Sequence, residues 1–310
     1  MIDLDHNEQF TLCKSNCVFR FFPQSPEDVY RCIAHCLIEK PYYENSVEDV
    51  IDPIPGPIVR QAIARKVGKE VMTCKRRARR YTCESMDLET VPDNITDADI
   101  DELDLSHNNI RLIRKSMFRK LRRISELILS LNLIEEIEPD AFSHMKNLKL
   151  LDVSYNPLKE VNLKLWLGNN KQLQTVSLSG IDMSNTLLPF IFRDFPNLRS
   201  ISMRRCGLKQ ITVELFKDQD DIEYLDLAEN QLRTFPVELV KKFVNLRYLM
   251  LYDNPITCDC SNYELKKIIT QRNIQIDESS HITQCALPFE LAKQAFSQLN
   301  DTIFTYCSEF

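Results

Sequence analysis

Glycine is scarce in this chain, at 5 of 310 residues. Phosphate-cradling loops need glycine so that the backbone can approach the ligand, and neither G-x-G-x-x-G nor G-x-x-x-x-G-K-[ST] occurs. Nucleotide folds built on those loops are excluded. No run approaches the roughly 18 apolar residues of a membrane-spanning helix. The 5 histidines, His6, His35, His107, His144 and His281, are scattered, and H-E-x-x-H and G-x-S-x-G are both missing. No catalytic residue, resident metal or cofactor is therefore expected. Positive charge is not in excess either: 39 Lys+Arg against 45 Asp+Glu leave a net charge of −6. Neutralising a nucleic-acid backbone calls for the opposite balance, so no nucleic-acid partner is expected.

What is present is an ordinary globular composition, 44% hydrophobic and 27% charged, long enough for one large or two modest domains. Hydrophobic anchors recur at Ile100, Ile124, Leu148, Leu173, Leu198, Ile222 and Leu246, at spacings of 24, 24, 25, 25, 24 and 24. After each comes one phrase: Leu103, Leu105, Asn108, Ile110; Leu127, Leu129, Asn132, Ile134; Leu151, Val153, Asn156, Leu158. Two looser copies follow, Val176, Leu178, Ile181, Met183 and Ile201, Met203, Cys206, Leu208. Two regular ones close the series, Leu225, Leu227, Asn230, Leu232 and Leu249, Leu251, Asn254, Ile256.

The phrase L-x-x-L-x-L-x-x-N/C-x-L resembles the leucine-rich repeat. That resemblance implies an α/β solenoid, a horseshoe of about seven repeats with a parallel sheet on its concave side. The alternating pair in each phrase makes a short strand with one inward face. The asparagine amide then satisfies backbone groups left unpaired where the chain bends inward. Ile181 cannot do this, so the fourth repeat is expected to be irregular, and Cys206 can do it only through S–H. Apolar residues such as Phe118, Leu121, Phe142, Met145, Phe216, Leu239 and Phe243 close the convex side. Stacked repeats need capped ends.

The stretch NPITCDCSNYELKKII, with Cys285 and Cys307 after it, resembles the C-terminal flanking module of extracellular leucine-rich repeat proteins. The resemblance implies disulfides Cys258–Cys285 and Cys260–Cys307. Ser261 and Glu264 read as a capping box, with Tyr263, Leu265 and Ile268 in place of the family's usual tryptophan. Ahead of the repeats, Cys83, Leu88, Val91, Pro92 and Ile95 resemble the second half of the N-terminal flanking module. Cys74 is its nearest partner, which implies a Cys74–Cys83 disulfide in an abbreviated cap.

Upstream, C-x-x-x-C occurs at Cys13 and Cys17 and again at Cys32 and Cys36. This spacing sets both thiols of a pair on one helix face, so two antiparallel helices can be joined as Cys13–Cys36 and Cys17–Cys32. Zinc sites more often use C-x-x-C or added histidines, and only His35 lies near. CIAHCLIEK is also similar to part of the insect odorant-binding protein pattern, which implies a small-ligand carrier as a remote alternative for this segment.

The expected organisation is a cysteine-paired helical hairpin over 1–52, a linker and helix over 53–73, the N-terminal cap over 74–99, repeats over 100–257 and the C-terminal cap over 258–310. Ten of the 11 cysteines are then paired, with Cys206 left as a buried thiol. That usage points to an oxidising, extracellular compartment. Sequons at Asn94 and Asn300 agree with it. Residues 1–10 have neither the charged nor the apolar region of a secretory signal, and the start is read as a truncated or processed terminus.

For function, the resemblance implies non-enzymatic binding of another extracellular protein in adhesion, recognition or immune sensing. The alternative is a non-catalytic accessory subunit of a secreted catalytic chain, as in the luciferase complex of shrimp. The outward strand positions cross about 29 Å at the usual strand spacing, wide enough for a protein surface. Arg204, Arg205, Tyr224, Tyr248, Met250 and Tyr252 gather at its C-terminal end, and aromatic, Met and Arg residues are enriched in interface cores. A basic run, Lys75, Arg76, Arg77, Arg79 and Arg80, is followed by Arg111, Arg114, Lys115, Arg119, Lys120, Arg122 and Arg123. It suits sulfated glycans or acidic lipid headgroups. Arg77-Ala78-Arg79-Arg80 also resembles a furin-type processing site.

Overall fold

The computed structural model describes residues 74–93, 95, 100–184, 190–278 and 281–309. They fall in the unit Cys74–Phe310; the other unit, Met1–Thr73, lies outside the described residues, and with it the hairpin cysteines Cys13, Cys17, Cys32 and Cys36. Asn94 lies outside them as well.

The repeats build a nine-stranded sheet. It opens with the antiparallel hairpin β1 (Lys75–Arg77) and β2 (Arg80–Thr82). Parallel strands follow in order, β3 (Glu102–Asp104), β5 (Glu126–Ile128), β7 (Leu150–Asp152), β8 (Thr175–Ser177), β9 (Ser200–Ser202), β10 (Tyr224–Asp226) and β11 (Tyr248–Met250). Each strand pairs with its equivalent one repeat away: Leu103 lies beside Leu127, Leu127 beside Leu151, and so on to Leu249. A second, two-stranded parallel sheet joins β4 (Leu112–Ile113) to β6 (Glu136–Ile137). Among the described residues the unit Cys74–Phe310 is a parallel-stranded solenoid with seven repeat strands, the leucine-rich repeat fold that the sequence resemblance implies.

Strand entry and exit are fixed by backbone groups. Before β5, the Asp101 carbonyl accepts the amides of both Ser125 (2.7 Å) and Glu126 (3.0 Å), and the same double acceptance recurs at Ser125, Lys149, Gln174, Arg199 and Glu223. After each strand one residue turns left-handed: His107, Leu131, Tyr155, Gly180, Arg205, Glu229 and Asp253 all have φ between 53° and 72°. Three of the strands end in an aspartate, Asp104, Asp152 or Asp226, whose Oδ1 accepts the amide two residues on. At Gly180 the missing side chain also makes room. A Cβ there would lie 2.3 Å from the Tyr155 ring, which packs across the glycine.

The asparagine ladder is buried in the inward bend. Asn132 Nδ2 donates to the carbonyls of Leu105 (2.9 Å) and Leu129 (3.0 Å), while its Oδ1 accepts the Ile110 amide at 3.1 Å. Asn156 and Asn254 repeat the pattern. Cys206 takes its rung as a donor, with Sγ 3.3 Å from the Leu178 carbonyl, and burial pushes its thiol up to about 12. Having no side-chain oxygen, it leaves the Met183 amide to bond its main-chain carbonyl at 2.9 Å. The expected irregularity of the fourth repeat does not reach its strand. β8 keeps full register with both neighbours, because the strand's bonds come from backbone and Ile181 is itself buried among apolar residues.

Convex rings pack in series: Phe118 lies tilted against Phe142 (5.6 Å), Phe192 stacks on Phe216 (5.5 Å), and Phe216 meets Phe243 edge to face (5.6 Å). Between the two runs the helix α1 (Leu163–Leu167) supplies the buried Trp166. Another short helix, α2 (Val237–Lys242), buries Leu239 and Val240 before the last repeat strand.

Both caps carry disulfides. Cys74–Cys83 ties the ends of the β1–β2 hairpin, with Cα atoms 4.4 Å apart. At the other end Cys258–Cys285 and Cys260–Cys307 hold the helix α3 (Cys260–Arg272) and the chain after it to the last repeat. The strand β12 (Ile256–Thr257) pairs there with β13 (Cys285–Leu287). The tryptophan's place is filled by Leu265, which is buried, and by Tyr263, stacked on Phe304 at 5.1 Å. The capping box is corrected. Asp259, two residues before Ser261 and directly ahead of the first helical residue, caps α3: its carboxylate accepts the Ser261 amide at 2.9 Å. Glu264 instead reaches Lys241 of α2.

Candidate protein-binding face

Three columns of side chains face the concave side. In the first, Glu102, Glu126, Leu150, Thr175, Ser200, Tyr224 and Tyr248 stand side by side through strand register. The next column runs Asp104, Ile128, Asp152, Ser177, Ser202, Asp226 and Met250. The third, Ser106, Ser130, Ser154, Ser179, Arg204, Ala228 and Tyr252, is buried throughout. The left-handed turn folds the following residues back over it.

The six residues expected to form a hot spot therefore divide. Tyr248 is 41% exposed, its ring 6.0 Å from that of Tyr224, which is half-buried; Arg205 is exposed on the turn. Arg204, Met250 and Tyr252 do come together, but as a closed cluster, and their expected outward exposure is corrected. Tyr252 is fully buried, with the Arg204 guanidinium 5.3 Å above its ring and the His281 ring 5.1 Å away. Arg204 Nε donates to Glu229 at 2.6 Å. The cover comes from the C-terminal cap. Gln275 bridges to Tyr248, and the chain then doubles back with Glu278 paired to His281.

Beside this cover a polar network crosses three strands. The hydroxyls of Ser179 and Ser202 lie 2.7 Å apart, and Ser202 Oγ donates to Asp226 at 3.1 Å. Burial pushes the Asp226 carboxyl up, while the Ala228 amide and the Arg204 charge oppose the rise. Neither Glu229 nor His281 stands out in the sequence. Glu229 occupies an ordinary repeat position, and His281 lies beyond the last repeat.

The open part of the face is its middle. Leu150, Asp152, Thr175, Ser177, Ser200 and Ser202 are all half-buried and, apart from Leu150, short and polar. Toward the N-terminal end, Glu102 and Asp104 meet Arg80 at 3.0 and 3.4 Å, and Glu126 is exposed.

The basic hairpin also divides. Lys75, Arg76 and Arg77 are exposed on β1, whereas Arg79 pairs with Asp101 and Arg80 with Glu102 and Asp104. Arg80 and Tyr81 are paired on both sides in the sheet, to Arg77 and Arg76 and to Glu102 and Leu103. A processing protease would have to pull out a strand to reach the bond between them. Asn300 is exposed and its Oδ1 accepts the Thr302 amide at 3.0 Å. Among the described residues no cluster of His, Cys, Asp and Glu could hold a metal ion, and no helix is long and apolar enough to cross a membrane.

Comparisons with known proteins agree with this architecture. The family model described as leucine rich repeat matches residues 99–158 and 196–256. The crystal structure of human 5T4 (Wnt-activated inhibitory factor 1, trophoblast glycoprotein) is similar, with a TM-score of 0.60 at 20% identity, over 77% of this chain and 99% of that one. At that identity the likeness bears on the fold alone. No curated protein matches the chain.

Proposed function

We propose that this chain, a leucine-rich repeat horseshoe with disulfide-bonded caps, is an extracellular, non-enzymatic module that binds another protein on the open middle of its concave face. The observation that carries the reading is the contrast along the sheet. The C-terminal end is closed by the cap, while β7, β8 and β9 present short hydroxylated side chains that let a partner approach the backbone. Together with the acidic strands β3 and β5, the stretch not covered by the cap runs to β9 over about 19 Å, a protein-sized rather than metabolite-sized contact. Tyr248 and Tyr224 border it and are the aromatic anchors of the interface. The oxidised caps support extracellular placement, because such bonds persist outside the reducing cytosol.

A steric block tests this. Ser200→Arg sets a long cation on the strip at β9, beside Tyr224, without touching the core. It is expected to weaken capture of the extracellular partner by roughly ten-fold or more while Tm stays unchanged, with Tyr248→Ala giving a smaller loss. Equal capture by Ser200→Arg and wild type would remove the concave face from the interaction. Identification of the captured protein as an enzyme would make this chain its accessory subunit.

A further inference from the structure

Where the chain enters the strands of the first three repeats, the structure forms a shallow cavity of about 440 Å³. It is lined by Asp101, Arg123, Ser125, Asn147, Lys149 and Gln172. Every one of these side chains is polar, and Asp101 is the sole acid among them. That acid is already taken, since Arg79 pairs with it and holds its carboxyl below the usual range. The charge of Arg123 acts on the same carboxyl, so one acid is set against Arg79, Arg123 and Lys149, beside three lining groups able to hydrogen-bond hydroxyls.

The surroundings extend the same character. Arg122 and Lys146, one residue before Arg123 and Asn147, are exposed and have no ion-pair partner among the described residues. Lys171, in the equivalent place before Gln172, is exposed too, but it is partly neutralised: its ammonium bonds the Asp194 carbonyl at 2.9 Å and lies 3.9 Å from the Asp194 carboxylate. Repeat geometry therefore lines the cations up across successive rungs, about 4.8 Å apart at the backbone. The row ends at the fifth repeat, where Pro196 stands in the place of Lys171, and the sixth repeat reverses the charge with Asp220, Asp221 and Glu223.

We propose that this rim is a binding site for a linear sulfated glycan, with Arg123 and Lys149 meeting sulfates and Ser125, Asn147 and Gln172 hydrogen-bonding sugar hydroxyls. A periodic row of cations suits a polymer with periodic charge better than it suits a single anion. The lining offers nothing apolar to enter a lipid layer, and the chain's net charge of −6 disfavours nucleic acid. The site is separate from the concave middle, so either can fail alone.

The test is binding of the full chain to immobilised heparin oligosaccharide, with desulfated heparin, phosphatidylserine vesicles and single-stranded DNA as competing probes. Arg123→Gln with Lys149→Gln is expected to weaken heparin binding by roughly ten-fold and to lower the salt slope by about two. Arg76→Ser with Arg77→Ser on the β1 edge is expected to leave it within about two-fold. If the rim double variant unfolds early, Lys149→Gln alone carries the test, since that side chain is exposed. Unchanged binding by a folded rim variant overturns the proposal. So does equal binding to desulfated heparin, or tighter binding to vesicles or DNA.

Discussion

Asn230→Ala is expected to lower the unfolding free energy by about 4 kcal/mol, and Asn132→Ala by only about 1–2 kcal/mol, although both are equivalent rungs of the same ladder. The difference follows from who else serves each backbone group. Asn230 Oδ1 accepts two amides, from Cys206 and Leu208, both at 3.0 Å. Its Nδ2 donates to the Met203 carbonyl at 2.9 Å, which among the described residues has no other donor, because Cys206 reaches Leu178 and Arg204 instead. Truncation orphans all three groups in a buried site. At Asn132 the Leu105 carbonyl keeps Asn108 and the Leu129 carbonyl keeps Asn156, so the Ile110 amide alone is orphaned. Asn156 falls between, because Ile181 cannot back up the Val153 carbonyl. Urea unfolding of the three variants checks the order Asn230, Asn156, Asn132. Equal losses would show that the ladder acts uniformly, without regard to its gaps.

Removing the longest cross-link should have a comparable effect. Cys260–Cys307 spans 47 residues of sequence, and a loop of that length constrains the unfolded chain by about 4 kcal/mol in the chain-entropy account. Cys74–Cys83 spans 9, for which the same relation gives about 3 kcal/mol. Cys260→Ala with Cys307→Ala is therefore expected to destabilise by roughly 2–5 kcal/mol. The loss should also be directional. Repeats touch only their neighbours, so a weakened end opens before the middle. Hydrogen exchange should quicken first in α3, with its Tyr263–Phe304 stack, and in β11, while β5 and β7 keep their protection. Uniform loss across all strands would mean that the stack unfolds as a single block.

The repeats could be read from the sequence because one physical requirement, an apolar pair two residues apart followed by an inward-bending amide, recurs at nearly constant spacing. Leu103, Leu105 and Asn108 announce their own places. The three disulfides of the described unit were legible through the flanking modules that the sequence resembles, which imply the pairing. The closure over Tyr252 could not be read in that way. Alternation places Tyr252 outward, and the residues that bury it come from a loop with no repeat phase. The left-handed column was equally hidden, because His107, Leu131, Tyr155, Arg205, Glu229 and Asp253 are ordinary side chains in a conformation usually left to glycine. The cap of α3 was misplaced by one competing pattern. Ser261 and Glu264 fit a capping box, but Asp259 stands nearer the helix start and its carboxylate is the stronger acceptor.

Direct mapping of thiols in the native protein, by alkylation without reductant and mass spectrometry, tests the central claim of an oxidised, end-capped repeat stack. Among the described residues the expected result is three linked pairs, Cys74 with Cys83, Cys258 with Cys285 and Cys260 with Cys307, and a Cys206 that reacts only after unfolding. Free thiols at both caps of folded protein, or a metal ion released from them, would contradict it.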